Sequence, residues 1–218
     1  MMHLPELLPI VLVHGGLYDD PVMTASDFWI ATGVAGALAK AGVEVIMHER
    51  PSEPTTWAEE GEALAATIEA AGHQRAAVVA GSNGCSAAMR LALDRPELAA
   101  RTMLCWPATS GDHVIDGLAS VIIADVHDDD IATGLLAGAP IRGVTPDELA
   151  GLEHEVVIYP SLPENKIHQR VTVFELLDVI PDAILVGGSP EPLDDTFGDF
   201  LAEFVAVLTA FSRVEHDD

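Results

Sequence analysis

Basic residues are scarce in this sequence. Its 218 residues include 35 acidic and only 10 basic side chains, which gives a formal net charge of -25. Lys40 and Lys166 are the only lysines. Because an acidic surface without a stripe of Lys and Arg repels phosphate, this composition excludes nucleic acid as a partner and argues against acidic membrane surfaces.

Cysteines and long apolar runs are also scarce. Cys85 and Cys105 are the only cysteines, too few for a disulfide framework or a zinc site. No apolar run reaches the roughly 18 residues of a membrane span, and the first six residues lack the basic start of a signal peptide. We therefore expect a cytoplasmic protein without a metal or cofactor that acts on a small molecule. A homodimer is left open.

Hydrophobic residues make up 49% of the chain, enough for a core despite the charge. The length favours one domain over residues 1–218, since domains have roughly 100 to 200 residues. Short apolar runs that are typical of buried strands lie at 9–13, 43–47, 76–80, 102–106, 156–159 and 183–186. Helical patterns separate them, at about 29–41, 56–71, 83–95 and 196–211. This alternation predicts a three-layer α/β sandwich, with a mostly parallel sheet of about six strands between helices.

The segment from Gly111 to Glu155 is less regular than the rest of the chain. It contains two weak helical patterns and breaks at Gly and Pro, and it lies between the fourth and fifth predicted strands. Such an insertion would reach the carboxyl edge of the sheet. We expect either a small lid over that edge or a solvated connection.

The strongest chemical signal is Ala80-Gly81-Ser82-Asn83-Gly84, between a predicted strand and a predicted helix. Small residues two places before and after the serine allow a sharp strand-to-helix turn that exposes the hydroxyl at the sheet edge. The start of the helix offers free N–H groups and a positive dipole end, which suit a developing oxyanion. The simpler interpretation is a glycine-rich turn with Ser82 as an ordinary cap.

A second segment, His14-Gly15-Gly16-Leu17, follows the first predicted strand. Its backbone N–H groups would face the nucleophile, so Gly16 or Leu17 would form an oxyanion hole together with Asn83. We also expect two side chains to line the substrate pocket. They are His14, in this loop, and Trp106, at the end of the fourth predicted strand, where substrate sites gather in open α/β sheets.

In these two segments the chain resembles the α/β-hydrolase family, and the resemblance extends over the whole sequence. Residues 90–98 are similar to the helix after the family's nucleophile, and residues 159–168 to the loop that usually carries its triad acid. Residues 180–188 resemble the approach to the strand that precedes its catalytic histidine. The resemblance implies an α/β-hydrolase fold with a small or absent cap.

The sequence departs from the family's usual catalytic triad at two positions. Asn165 stands where the family usually has its acid, and Glu164 is the nearest carboxylate. The stretch from Gly187 to Phe197, where the family's histidine usually follows the last strand, contains no histidine. A serine needs a base to act as a nucleophile at neutral pH. We expect His168, just after the acid loop, to be that base and Glu164 to orient it.

Other histidines remain alternatives for the base. His113 and His127 lie near the carboxyl edge or in the lid segment, and His14 lies in the oxyanion loop, where the family's histidine is usually structural. His216, the only histidine after Phe197, lies in a polar tail and is not one of these alternatives. The absence of any protein base is a further alternative.

The sequence thus favours a cofactor-free serine hydrolase that acts on an ester, lactone or thioester of a small neutral substrate through Ser82. Two other functions stay open. One is a lyase, isomerase or cyclase of the same fold that works without hydrolysis. The other is a ligand-binding protein that has lost catalysis.

Overall fold

The computed structural model describes residues 7–17, 23–124 and 128–214. Six parallel strands form one sheet in the order β2-β1-β3-β4-β5-β6. Their bounds are β1 Ile10–Val13, β2 Val45–His48, β3 Ala76–Gly81, β4 Ala99–Cys105, β5 Val156–Tyr159 and β6 Ile184–Leu185. Each lies within three residues of a predicted apolar run, so the prediction of a largely parallel six-stranded sheet is confirmed.

Helices connect the strands of this sheet. Their bounds are α1 Val34–Lys40, α2 Trp57–Ala70, α3 Gly84–Asp94, α4 His113–Ala124, α5 Asp129–Leu136, α6 Pro146–Ala150, α7 Arg170–Val179 and α8 Leu201–Phe211. The helix expected at 29–41 is divided. A π-helical turn at Ser26–Ile30 precedes α1, and Gly33 between them has a φ of +86°. That left-handed conformation suits glycine and ends one helical turn before the next begins.

Two hydrophobic clusters cover the two faces of the sheet. One packs α2, α3 and α7 against one face, through side chains such as Leu64, Met89 and Leu176. The other packs α1 and α8 against the opposite face, through Leu38 and Phe204. Because both faces are covered, the strands are continuous apolar runs rather than alternating ones, as is usual for parallel sheets.

The parallel register brings several loops together at one edge of the sheet. Val13 pairs with Ala80, Gly81 with Cys105, and Cys105 with Tyr159, so β1, β3, β4 and β5 end at about the same level. The loops after these strands therefore meet at the carboxyl edge, where open α/β sheets bind ligands. None of the described helices is long and apolar enough to cross a membrane.

Candidate active site

Ser82 lies in a tight turn between β3 and α3. Its φ of +52° is in the left-handed region, which a serine rarely adopts and which is often found at functional sites. The turn leaves no room for larger neighbours. A Cβ at Gly84 would overlap the carbonyl oxygen of His14, and one at Gly81 would lie 2.8 Å from the Phe28 ring. The small residues around Ser82 are therefore required by the packing of the turn.

The loop after β1 runs directly against Ser82. A Cβ at Gly15 would lie 2.9 Å from the Cβ of Ser82. Arg50 donates hydrogen bonds to the carbonyl oxygens of Gly15 (3.2 Å) and Gly16 (2.9 Å). In a trans peptide the C=O and the following N–H point in opposite directions, so the N–H groups of Gly16 and Leu17 point away from Arg50.

The same pocket holds a third backbone donor. The N–H of Asn83, at the start of α3, belongs to the first turn of a helix and has no partner within that helix. Asn83, Gly16 and Leu17 all line the pocket that contains Ser82. The arrangement can therefore offer backbone donors to a negative oxygen that forms next to Ser82.

His168 contacts the Ser82 hydroxyl. Its Nε2 lies 2.9 Å from Oγ of Ser82, and the residue is only 3% exposed. Its Nδ1 contacts the carboxylate of Glu191. A carboxylate only accepts, so Nδ1 carries a proton and Nε2 is free to accept the proton of the serine hydroxyl.

The carboxylate next to His168 is that of Glu191 and not, as expected, that of Glu164. Glu164 is exposed and accepts a hydrogen bond from the backbone N–H of Arg170 (2.8 Å), at the start of α7. Closeness in sequence to His168 therefore did not bring the two side chains together, because the first turn of α7 holds the Glu164 carboxylate. No signal within residues 159–168 identifies Glu191, but its position after the last strand could have, since that loop reaches the same edge.

Asn165 links the two loops that carry His168 and Glu191. Its Nδ2 donates to Oε1 of Glu191 (2.6 Å), and its Oδ1 accepts from the backbone N–H groups of Ile167 and His168, both at 3.0 Å. The amide at the position where the resemblance places an acid therefore holds the acid of another loop.

The histidine and the carboxylate that contact each other here lie on loops exchanged relative to the usual α/β-hydrolase arrangement. That arrangement has the order serine, acid, histidine along the chain, whereas here the order is Ser82, His168, Glu191. Because β5 and β6 are parallel neighbours, the loops after them meet at the same edge. A histidine from one loop and a carboxylate from the other can therefore meet in either order, and such triads are recognised by geometry rather than by sequence position.

The other candidate histidines do not contact Ser82 in the part of the chain that the structure describes. His14 is buried, its Nδ1 donates to the carbonyl oxygen of Gly15 (2.7 Å), and its Nε2 accepts from the backbone N–H of Arg50 (3.1 Å). Burial lowers the pKa of His14 to about 4, so it is neutral and structural at pH 7. His113 is exposed at the start of α4. His127 and His216 lie outside the described residues.

A pocket of about 280 Å³ opens over Ser82. Most of its lining is apolar and comes from the loops after β1 and β4, from α4 and from the loops that carry His168 and Glu191. Apart from Gly16, Leu17, Ser82 and Asn83, the described lining residues are Met23, Phe28, Ala108, Thr109, Ile115, Leu118, Ala119, Ile122, Arg142, Ile167, Glu191 and Leu193. The pocket therefore suits a small ligand with mostly apolar surface.

Two expected pocket residues, His14 and Trp106, are not among the described residues that line it. Trp106 is fully buried against a cluster of aromatic rings that includes Tyr159 and Phe204. Its Nε1 donates to the carbonyl oxygen of Ser189 (2.9 Å), which fixes the start of the loop that carries Glu191. Large apolar side chains at the end of a central strand pack into the core unless the loop above leaves space.

Arg142 was not predicted, although it is the one cation among the described residues that line the pocket. It is 3% exposed and donates to Oδ1 of Asn83 (2.8 Å), to the carbonyl oxygen of Thr109 (2.9 Å) and to Oδ1 of Asp116 (2.8 Å). Asp116 balances its charge. An arginine in an irregular segment carries no sequence signal of this role, since the contacts depend on how that segment folds back over the sheet.

The Cys85 thiol, although close to Ser82 in the sequence, is a buried part of the core. Burial raises the pKa of the Cys85 thiol far above its usual range, and its Sγ donates to the carbonyl oxygen of Ala80 (3.3 Å). Within the described residues, no group of three or more His, Cys, Asp or Glu side chains could hold a metal ion.

Comparisons with known proteins support the same fold. No family model matches the chain, and no curated protein is significantly similar to it in sequence. A meta-cleavage product hydrolase from Pseudomonas fluorescens is similar in structure, with a TM-score of 0.66 at 17% identity over 95% of this chain and 91% of the other. A 2-hydroxy-6-oxo-6-phenylhexa-2,4-dienoate hydrolase from Rhodococcus is also similar in structure. Its TM-score is 0.65 at 14% identity, over 94% of this chain and 90% of the other.

A third similar structure is an N-acyl homoserine lactone degrading enzyme. Its TM-score is 0.62 at 18% identity, over 95% of this chain and 94% of the other. Identities this low carry the fold and not the activity. These structural similarities and the six-stranded parallel sheet show that the chain has the α/β-hydrolase fold.

Proposed function

We propose that this chain is a cofactor-free serine hydrolase that cleaves an ester, lactone or thioester. Ser82 is the nucleophile, His168 the general base and Glu191 the acid that orients His168. The observation that carries the proposal is the continuous chain of contacts from Ser82 Oγ to His168 Nε2 (2.9 Å) and from His168 Nδ1 to the Glu191 carboxylate. A base within hydrogen-bond reach and a third group that orients the base are what an activated serine requires.

The reaction follows from these positions. Ser82 Oγ attacks the carbonyl carbon while His168 Nε2 takes the hydroxyl proton, and the carbonyl oxygen becomes an oxyanion. The N–H of Asn83 and that of Gly16 or Leu17 stabilise this oxyanion. The intermediate collapses, the bond to the leaving oxygen or sulfur breaks, and His168 gives its proton to the leaving group. Water then attacks the acyl-enzyme with His168 again as base, which releases the acid and restores Ser82.

The substrate that this pocket favours is small and uncharged. The lining is mostly apolar, the cation Arg142 is already paired with Asp116, and Glu191 adds negative charge next to Ser82. The net charge of -25 also disfavours anions. The lactone named for one structural relative makes a lactone a rational member of the first substrate panel.

The segment 111–155 acts as a small cap in this proposal. Four residues of α4, Ile115, Leu118, Ala119 and Ile122, line the pocket. Leu118 is 59% exposed as well, so α4 forms part of the pocket wall and part of the outer surface. This placement favours a cap over a solvated connection.

A fluorophosphonate probe tests the nucleophile. Intact protein should be labelled at Ser82, as read by mass spectrometry of the labelled peptide, and Ser82→Ala should abolish both labelling and hydrolysis of p-nitrophenyl butanoate. Ser86→Ala is a matched control, because Ser86 is also buried but lies in α3 outside the pocket lining. It should keep labelling.

The same experiment separates the other functions. Turnover of any substrate that survives Ser82→Ala would overturn the hydrolase proposal in favour of a lyase, isomerase or cyclase. Folded protein that binds esters but neither reacts with the probe nor hydrolyses any of the panel would overturn it in favour of a binding protein.

A further inference from the structure

Asn83 lines the pocket next to Ser82, and its side chain carries donors in addition to the backbone N–H described above. Arg142 carries only donors, so its 2.8 Å hydrogen bond to Asn83 requires the amide oxygen on that side. The Nδ2 group, with its two N–H donors, is therefore turned away from Arg142. Among the described residues this Nδ2 has no hydrogen-bond partner, and the atom is accessible rather than buried.

The orientation of this amide is held firmly. Arg142 is 3% exposed and also donates to the carbonyl oxygen of Thr109 and to Asp116. Thr109 is itself held by the two residues that flank His168 in the chain. Its N–H donates to the carbonyl oxygen of Ile167 (2.8 Å), and its Oγ1 accepts from the N–H of Gln169 (2.9 Å). A flip of the amide would place its N–H donors against the Arg142 donors, which the network does not allow.

We propose that Asn83 Nδ2 is a specificity-determining donor that binds a second oxygen acceptor of the substrate. The inference deepens the proposed hydrolase function, and it names a substrate class. The preferred substrates are neutral esters, lactones or thioesters that carry an ether, hydroxyl or carbonyl oxygen close to the scissile carbonyl.

The physical reason is the contrast between this donor and its surroundings. The pocket wall is mostly apolar. A substrate without an acceptor therefore displaces the water from Nδ2 without replacing its hydrogen bond. A site built to hydrogen-bond a polar group discriminates against analogues that lack it, because the buried polar group is then left unpaired. The proximity of Asn83 to Ser82 in the chain limits the acceptor to the first few atoms from the carbonyl.

Matched ester pairs test the proposal. p-Nitrophenyl methoxyacetate, 3-methoxypropanoate and 4-methoxybutanoate place one ether oxygen at increasing distance from the carbonyl, and the butanoate, pentanoate and hexanoate are their carbon analogues. The measured quantity is the ratio of kcat/KM within each pair. Asn83→Leu should lower this ratio about 5- to 10-fold for at least one pair, the value of one net hydrogen bond. Comparison with the wild type cancels the intrinsic reactivity of each ester.

Two further variants keep the test independent of folding. Asn83→Asp retains an oxygen for Arg142 and replaces the donors by an acceptor, so it should lower the same ratio at least as much. Ile122→Val changes only the apolar lining, which the two esters of a pair meet with the same chain length, and should leave the ratio about as it is in the wild type. Equal ratios in the wild type and both Asn83 variants, for all three pairs, would overturn the inference.

Binding to Ser82→Ala separates this inference from the proposed function. The pairs are titrated into Ser82→Ala and Ser82→Ala/Asn83→Asp by calorimetry, where no turnover is needed. Preference for an ether in the first variant and its loss in the second would support the inference even if the wild type hydrolysed nothing. Hydrolysis by the wild type with no such preference would leave the proposed function standing and remove the inference.

Discussion

The Glu191 carboxylate contacts Nδ1 of His168, although the two residues are on loops after different strands. His168 follows β5 and Glu191 follows β6, the reverse of the order in which the α/β-hydrolase fold usually presents acid and histidine. Adjacent parallel strands end at the same edge, so the fold tolerates the exchange. Asn165 completes the arrangement by donating to Glu191 from the loop that carries His168.

Replacing Glu191 should reduce turnover far more than replacing Glu164. Glu191→Gln removes the negative charge that holds the protonated Nδ1 of His168 and stabilises its positive charge in the transition state, so kcat should fall by about 10²- to 10⁴-fold. Glu164→Gln keeps an oxygen for the Arg170 N–H and should leave kcat within a few-fold of the wild type. Steady-state kinetics on p-nitrophenyl butanoate compares them. Similar losses in both variants would remove Glu191 from its proposed role.

Exchange of the amide and the carboxylate should restore part of that activity. In Asn165→Asp/Glu191→Gln the carboxylate moves to residue 165, whose Nδ2 already lies 3.4 Å from Nδ1 of His168. We expect at least ten-fold higher kcat than in Glu191→Gln, since a charge of the same sign again faces the imidazole. Asn165→Asp alone should lower kcat, because two carboxylates would then repel each other at one site. No gain in the double variant would show that residue 165 cannot replace the acid.

The sheet and the serine turn could be predicted because their signals are local. Apolar runs that end in glycine identified β1 and β3, and the small residues around Ser82 identified a turn that has no space for a Cβ at Gly84. His168 could be predicted because it lies at the same edge as Ser82. These inferences need only the periodicity of the chain and the rule that parallel strands end together.

The rest of the site depends on long-range contacts that no local pattern encodes. Glu164 is close to His168 in sequence, but it bonds the start of α7, whereas Glu191 is 23 residues away from His168 and touches it. Arg142 reaches Asn83 across 59 residues. Trp106 lies at the strand end predicted for it but points into the aromatic core. In each case the side chain's direction was decided by packing above the sheet edge.

A buried ion pair supports the loop after β1, and breaking it should cost considerable stability. Arg50 donates to both oxygens of Glu60, at 2.6 and 2.8 Å, and to the carbonyl oxygens of Gly15 and Gly16. Glu60 is fully buried. Glu60→Gln removes one charge of this buried pair and should lower the free energy of unfolding by about 3–5 kcal/mol. Urea denaturation followed by circular dichroism measures this change.

Glu97→Gln provides the contrasting control for that prediction. Glu97 also bonds an arginine, Arg95, at 2.7 Å, but this pair is on the surface. Solvent screens such pairs, so this variant should unfold at nearly the wild-type urea concentration. Comparable destabilisation in the two variants would argue against a special contribution of the buried Arg50–Glu60 pair.

Acid should destabilise the protein through two buried histidines, His14 and His48. Burial lowers the pKa of each from 6.5 to about 4 in the folded state. The unfolded chain therefore binds protons first, so the stabilisation is complete above pH 6.5 and is lost as the pH falls toward 4. Each histidine should account for a loss of about 3 kcal/mol over that range.

Unfolding free energies of wild type and His14→Gln, measured in urea between pH 8 and pH 4, test this sign and size. The glutamine amide can replace both hydrogen bonds of His14, to Gly15 O and from Arg50 N–H, but it does not titrate. The variant should therefore lose less stability than the wild type on acidification. Ile68→Val is the control, because it weakens the core without touching a titrating group, and its stability should fall with pH in parallel with the wild type. An equally steep fall in His14→Gln would mean that His14 does not resist protonation in the folded state.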